Sequence, residues 1–330
     1  MKLEDLARLA GVSKSTASII LNGHAERYRI SEKTCEKVLE LAREHHYVAN
    51  AQAAGLRSRN SKLLALILPD LMHHGFAELS KHLEQLARKA GYQLIISCSD
   101  DEPEMEEKLV RTLTGRKVEA IISVSTVTDY RVYHQAEKRG IPVILLDRFQ
   151  SGAALDSIIS DDRKAAKELT RVMLTGRPGA IAYFGGNQAL DNCRLRFQGF
   201  SEALEESGEA ENIATVHHLD YSVEAGYSMM KDYFRQHQSL PEKLFTGSFT
   251  LMEGVLQFTR KHLDKMPEQI DWATFGDSYI LDLLPFTIHS ARQQYEEMAK
   301  QAMGSLDAKF NKREYQSQIV LDREIICRLI

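Results

Sequence analysis

Lys14, Ser15, Thr16 and Ser18 lie in a short stretch whose apolar members are Ala17, Ile19, Ile20 and Leu21. At helical spacing, positions 14, 15, 18 and 19 share one side, and Ala17, Ile20 and Leu21 form the packing side. Lys14 can reach a phosphate or a base acceptor, and the hydroxyls of Ser15, Thr16 and Ser18 can bond phosphates or base edges. With Ile19 they form a candidate DNA-contacting face, to which Asn22 and Arg29 in the following turn are added. A second set of residues follows short apolar runs: His74 and Phe76, then Asp100, Ser125, Asp147 with Arg148, and Asp277. Carboxylates and guanidiniums can bind a hydroxyl-rich ligand in bidentate fashion while an aromatic ring covers an apolar face of it. Arg148 beside Asp147 suits a phosphate, which favours a phosphorylated ligand over a neutral one; an exposed ion pair is the alternative.

The elements that position the first set are short helices. Leu3, Leu6, Ala7, Leu9 and Ala10 recur at helical spacing, and Gly11 stands where a positive φ is wanted. Ser13 is placed to cap a second helix closed by Asn22-Gly23. Two helices separated by about three residues including a glycine predict a helix-turn-helix. Ser31 then caps a third helix, with Val38, Leu39 and Leu41 expected to pack on the other two.

Residues 49–61 have few large apolar side chains and read as a hinge or linker after a headpiece over 1–48. Beyond it, eleven apolar or β-branched runs alternate with amphipathic helices: 63–68, 93–97, 120–124, 143–146, 157–160, 180–184, 215–219, 244–246, 272–275, 287–290 and 318–321. This alternation predicts an α/β fold of parallel sheets covered by helices. The number of runs is too large for one compact unit and implies two similar lobes, 62–160 and 161–290. Residues 291–330 are expected to supply a helix returning to the first lobe and a final strand. In open α/β sheets, ligands bind beyond the carboxyl ends of the strands, which places the second residue set in the cleft between lobes.

Charge supports the division. The 330-residue chain has a net charge of −4, but residues 1–60 carry 10 Lys and Arg against 7 Asp and Glu. A headpiece of +3 therefore precedes 270 residues of −7, a basic module joined to an acidic one. No run approaches the roughly 18 apolar residues of a membrane span, and the acidic start Met1-Lys2-Leu3-Glu4-Asp5 is unlike a signal peptide, so a cytoplasmic location is expected. Cys35, Cys98, Cys193 and Cys327 are scattered and read as reduced thiols. The adjacent pairs His45-His46, His73-His74 and His217-His218 lack metal-site spacing, so no metal or other cofactor is expected. No GxSxG, Walker or HExxH string suggests an enzyme.

Residues 5–18, Asp-Leu-Ala-Arg-Leu-Ala-Gly-Val-Ser-Lys-Ser-Thr-Ala-Ser, are followed in order by Asn22-Gly23, Ile30-Ser31, Thr34, Val38 and Tyr47-Val48-Ala49-Asn50. Over about fifty residues this closely resembles the N-terminal module of the lactose-repressor (LacI/GalR) family. The resemblance implies a DNA-binding headpiece, a hinge, and a two-lobed sugar-binding core similar to periplasmic binding proteins. Within the family the chain looks most like the fructose and sucrose regulators, the catabolite repressor/activator and sucrose-operon repressor branch. That likeness is carried by the extended turn 22–29, by Leu94-Ile95-Ile96-Ser97-Cys98-Ser99-Asp100 and by Thr274-Phe275-Gly276-Asp277.

The resemblance also implies roles. Leu56 matches the leucine that wedges between base steps in the minor groove, with Ala53 beside it and Asn50 and Arg57 placed for backbone contacts. Ala49 replaces the usual proline, and Gly55 lowers helix propensity by about 1 kcal/mol, so this hinge is expected to need DNA more than its relatives do. Arg196 resembles the family's sugar-contacting arginine before a Gly-aromatic pair. Ser248-Phe249 and Arg292 depart from the family pattern, and no contact is carried over there. A sugar-responsive transcriptional repressor is implied, a homodimer on a pseudopalindromic operator, with fructose, a fructose phosphate or sucrose as effector. The chain ends soon after its last expected strand without leucine heptads, which favours a dimer over a tetramer. The core alone would equally suit a sugar-binding protein with no DNA-binding role.

Overall fold

Leu6, Ala7 and Ala10 are the buried residues of helix α1 (Leu3–Ala10), which Gly11 ends in the left-handed conformation at φ 72°. There the Gly11 N–H returns to Arg8 O at 3.2 Å and the Val12 N–H to Ala7 O at 3.0 Å, satisfying carbonyls the helix leaves open. α2 (Lys14–Leu21) starts three residues later. Ser13 caps it by accepting from the Thr16 N–H at 3.0 Å. Ser31 likewise caps α3 (Glu32–Glu44), accepting from the Thr34 N–H at 3.3 Å. The three helices close on Leu6, Ala17, Ile20, Val38 and Ala42. Leu39 is exposed, contrary to the expectation that it packs; Ala42, one turn after Val38, holds the inward position instead.

The computed structural model describes residues 1–21, 23–47, 61–148, 152, 154–176, 178–263, 266 and 269–328. Residues 1–61 and 62–330 form separate units. The larger one begins with β1 (Leu63–Leu68), α4 (His74–Lys89), β2 (Gln93–Cys98), α5 (Pro103–Gly115), β3 (Ala120–Ser123), α6 (Arg131–Lys138), β4 (Val143–Leu146) and β5 (Asp156–Ser160). It continues with α7 (Asp162–Leu174), β6 (Ile181–Gly185), α8 (Asp191–Ser207), β7 (Ile213–His218), α9 (Val223–His237), β8 (Lys243–Thr246), α10 (Phe249–His262), β9 (Asp271–Phe275) and β10 (Thr287–Arg292). α11 (Tyr295–Phe310), β11 (Gln318–Leu321) and β12 (Glu324–Arg328) complete it.

Two six-stranded sheets result. The first has the order β11-β5-β4-β3-β1-β2 and is parallel throughout. The second has the order β12-β10-β9-β8-β6-β7 and is parallel except for β12. Central strands such as β3 and β4 are buried along their whole length because helices cover both faces. Apolar layers on either side of each sheet make the cores, with Leu66 and Ile122 on one face of the first sheet and Ile67 and Tyr133 on the other. Trp272 fills the second lobe, its indole N–H donating to Pro241 O at 3.0 Å.

The chain passes between lobes three times: from β5 to α7, from β10 to α11, and from β11 to β12. α11 packs in the first lobe through Met298, Ala299, Ala302 and Leu306. The last strand, β12, is absent from the expected division; it pairs antiparallel with β10 and returns the chain to the second sheet. Its Glu-Ile-Ile-Cys-Arg run follows β11 after only two residues with no helix between, so helix–strand alternation gave no sign of it.

Candidate functional site

The three crossings bring the carboxyl ends of both sheets to one cavity of about 400 Å³. Of the residues expected there, Phe76, Asp100, Asp147, Arg148 and Arg196 line it. Phe76 is carried by the first turn of α4, Asp147 and Arg148 follow β4, and Arg196 lies on α8. Gly75 permits this arrangement, because a Cβ at that position would strike the Tyr295 ring at the start of α11.

Three expected residues stand elsewhere. His74 is exposed on α4, and its neighbour His73 is the imidazole lining the cavity; a helix turns adjacent side chains by about 100°, so only one of the pair can face inward. Ser125 is buried and donates to Glu106 Oε1 at 2.5 Å, bordering only a narrow recess beside Arg148 and Asn192. Asp277 serves as a clamp within the second lobe. It accepts from Ser290 Oγ at 2.6 Å, from Arg328 Nη2 at 2.8 Å and from Arg292 Nε at 2.9 Å, so β10 and β12 consume its lone pairs. Burial pushes the Asp277 carboxyl up, but Ser290, Arg292 and Arg328 outweigh it and hold it below the usual carboxylate range.

The polar groups of the cavity wall form a connected circuit across the crossings. Arg196 donates through Nε to Asp162 Oδ2 at 2.9 Å and through Nη1 to Gly247 O at 2.8 Å. Arg323, between β11 and β12, donates to Asp162 Oδ1 at 2.8 Å and reaches Asp147 Oδ1 at 3.4 Å. Gln293, between β10 and α11, donates to Asp147 at 3.3 Å and accepts from Ser160 Oγ at 2.9 Å. Both guanidiniums also lie over the Phe275 ring, Arg196 at 4.6 Å and Arg323 at 4.8 Å from its centroid. Their fixed planes and spare edges suit a polar, anionic or hydroxyl-rich ligand, with Phe76, Phe249 and Phe275 as apolar surface.

Burial lowers the His73 imidazole to about 4, with Asp147 opposing the shift. His73 is therefore neutral at physiological pH, consistent with its Nδ1 accepting from the Phe76 N–H at 3.4 Å to cap α4. At the opposite wall, burial raises the Glu253 carboxyl while the nearby His74 pulls it back. Burial also holds the Tyr221 phenol well above the ordinary tyrosine range.

Several lining residues escaped the sequence reading. Tyr221 and Ser222 lie just past β7, where the rule of strand carboxyl ends would have found them, and Asp101 directly follows Asp100. Asn192 begins α8. Tyr295 and Arg323 have no sequence signal, since crossings near the end of the chain deliver them.

In the first unit, Lys14 and Ser15 are exposed, Thr16, Ser18 and Ile19 are half-buried, and Ala17 and Ile20 are buried. Lys14 Nζ is paired with Glu4 of α1, and this contact lowers the Glu4 carboxyl. The Thr16 hydroxyl bonds Ser13 Oγ at 2.8 Å, within the cap. Arg29 is exposed at a positive φ of 52°. Asn22, Asn50, Ala53, Leu56 and Arg57 lie outside the described residues.

Residues 2–50 match the bacterial regulatory proteins of the lacI family. Residues 61–272 match the periplasmic binding proteins and sugar binding domain of the LacI family. The chain is 36% identical over 322 residues to the fructose operon regulatory protein of Vibrio cholerae, covering 97% of both chains. It is 34% identical to the catabolite repressor/activator of Escherichia coli, covering 92% of this chain and 90% of that one. A crystal structure of the Cra transcriptional dual regulator from Pseudomonas putida, in complex with fructose 1-phosphate, superposes with a TM-score of 0.75 at 31% identity. It covers 82% of this chain and 99% of that one.

Proposed function

The chain belongs to the LacI family, as a sugar-responsive DNA-binding regulator and not an enzyme, and on that premise we propose that it represses carbohydrate-utilisation genes in response to a fructose phosphate. The observation that carries the effector reading is Arg148. Its side chain is 8% exposed, lines the cavity and lies 5.9 Å from the Phe76 ring centroid. A buried guanidinium facing a sugar-sized cavity suits a phosphate substituent, and the relatives named for fructose regulation and for fructose 1-phosphate agree with it. Asp147, Arg196 and Asn192 are positioned for sugar hydroxyls.

The protein acts as a homodimer on a pseudopalindromic operator, because a headpiece of net charge +3 makes few phosphate contacts and two half-sites supply specific affinity. Lys14, Ser15, Thr16, Ser18, Ile19, Asn22 and Arg29 meet the major groove; Asn50, Ala53, Leu56 and Arg57 act at the hinge. The effector favours one arrangement of the two lobes, and this differential affinity changes operator binding.

A thermal-shift panel of fructose, fructose 1-phosphate, fructose 1,6-bisphosphate and sucrose tests the effector reading. A ligand present at 100 times its dissociation constant adds about 2.7 kcal/mol to the stability of the core. A response to neutral sugars alone removes the phosphate role of Arg148. For the hinge, Leu56→Ala is expected to weaken operator binding far more than effector binding, and equal losses contradict the assignment.

A further inference from the structure

We propose that Asp101 is an exchangeable counter-ion for Arg148, holding its guanidinium until the anionic group of the effector takes its place, and so limits the preference for phosphorylated over neutral sugars. The inference rests on the reading of the effector as a sugar phosphate.

Each arginine that borders the cavity is paired with an aspartate, but the pairs differ in where the carboxylate sits. Asp162, partner of Arg196 and Arg323, is 3% exposed, and Asp147, the second partner of Arg323, is 12% exposed. Releasing either would strand a charge in the interior, which is strongly unfavourable. Asp101 is 53% exposed, whereas its partner Arg148 is 8% exposed. Its carboxylate regains water as soon as the pair opens, while the buried guanidinium demands another anion. Of these pairs, Arg148–Asp101 is the one that a competing anion can open without leaving a buried charge behind.

The backbone supports such an exchange. Asp100 and Asp101 have consecutive positive φ values of 54° and 58° in a turn after β2, outside any helix or strand. The Asp100 N–H donates to Pro69 O at 2.8 Å and the Glu102 N–H to Ser99 O at 2.9 Å, so both flanks of Asp101 are anchored. A rotation of its side chain therefore suffices for release. Arg148, fixed beside Phe76, stays in place to receive the bidentate acceptor that a phosphate offers. A neutral sugar brings no charge and cannot compete for the guanidinium.

Calorimetric titration of the full chain with fructose 1-phosphate and with fructose tests the proposal in the wild type, Asp101→Asn and Asp101→Glu. Asp101→Asn is expected to raise the ratio of the two affinities in favour of fructose 1-phosphate by roughly twofold to fivefold, the scale of a half-exposed ion pair that no longer has to be broken. Asp101→Glu keeps the competing charge and is expected to retain the wild-type ratio. An unchanged or reduced ratio in Asp101→Asn, or the same rise in Asp101→Glu, overturns the counter-ion role. If the wild type binds fructose but has no affinity for fructose 1-phosphate, the sugar-phosphate reading itself fails and takes this inference with it, so the two failures are told apart.

Discussion

Arg323 Nε donates to Asp162 Oδ1 at 2.8 Å, joining two residues 161 positions apart in the chain. Asp162 stands at the first passage between lobes and Arg323 at the third, so this single bond ties two of the three connecting strands. The same carboxylate orients Arg196 at the cavity wall. A displacement of either guanidinium in the cavity is thereby coupled to the segments that connect the lobes.

Asp162→Asn keeps the shape of this junction and removes the charge that two buried guanidiniums share. A loss of about 3 kcal/mol in core stability is expected, the usual scale for breaking a buried ion pair from one side. Effector affinity falls with it, because Arg196 loses its orientation. Urea unfolding followed by Trp272 fluorescence measures the first effect, and a loss well under 1 kcal/mol would count against a buried network of this kind.

Asp277→Asn separates the clamp from the binding site. With Asp277 engaged by Ser290, Arg292 and Arg328, the variant is expected to lower the melting temperature and leave effector affinity unchanged. A calorimetric titration showing strong loss of effector binding at an intact fold would return Asp277 to the list of ligand contacts.

Acid sensitivity is expected from His73. Its folded-state pKa of about 4 lies below the ordinary 6.5, so between those values the unfolded chain binds the proton and the folded chain does not. Stability from this group is complete above pH 6.5 and is lost as pH falls toward 4, by at most about 3 kcal/mol. His73→Gln cannot titrate, and its melting temperature should fall less between pH 6.5 and 4.5 than that of the wild type. Parallel curves would assign the acid loss to other groups.

Lys14→Ala tests the headpiece. Because the Lys14–Glu4 pair is exposed, thermal stability should be unchanged. Operator affinity is expected to fall, with the slope of log affinity against log salt reduced by about one if the lysine meets a phosphate. An unaltered slope together with relaxed sequence preference would place Lys14 on a base edge instead.

The headpiece helices were legible because their information is local. Gly11, Ser13 and Ser31 mark helix ends through bonds to residues three or four positions away, and these bonds are present in the structure. Leu39 was misread because period alone cannot say which edge of an apolar stripe the neighbouring helices cover. Strands of the two lobes were readable as short apolar runs, whereas β12 follows β11 after only two residues and is bounded by the charged Glu324 and Arg328, so it does not stand out as a separate run.

By itself, the sequence determined the order of elements, the basic headpiece before an acidic core, the helix start that carries Phe76 and the strand end that carries Asp147 and Arg148, since each depends on neighbours within a few residues. The tertiary structure decided that His73 rather than His74 faces the cavity, that Asp277 is a clamp, and that Arg323 and Tyr295 complete the wall. These assignments depend on where three distant crossings converge, and on which carboxylates the convergence buries, so no local pattern of residue types encodes them.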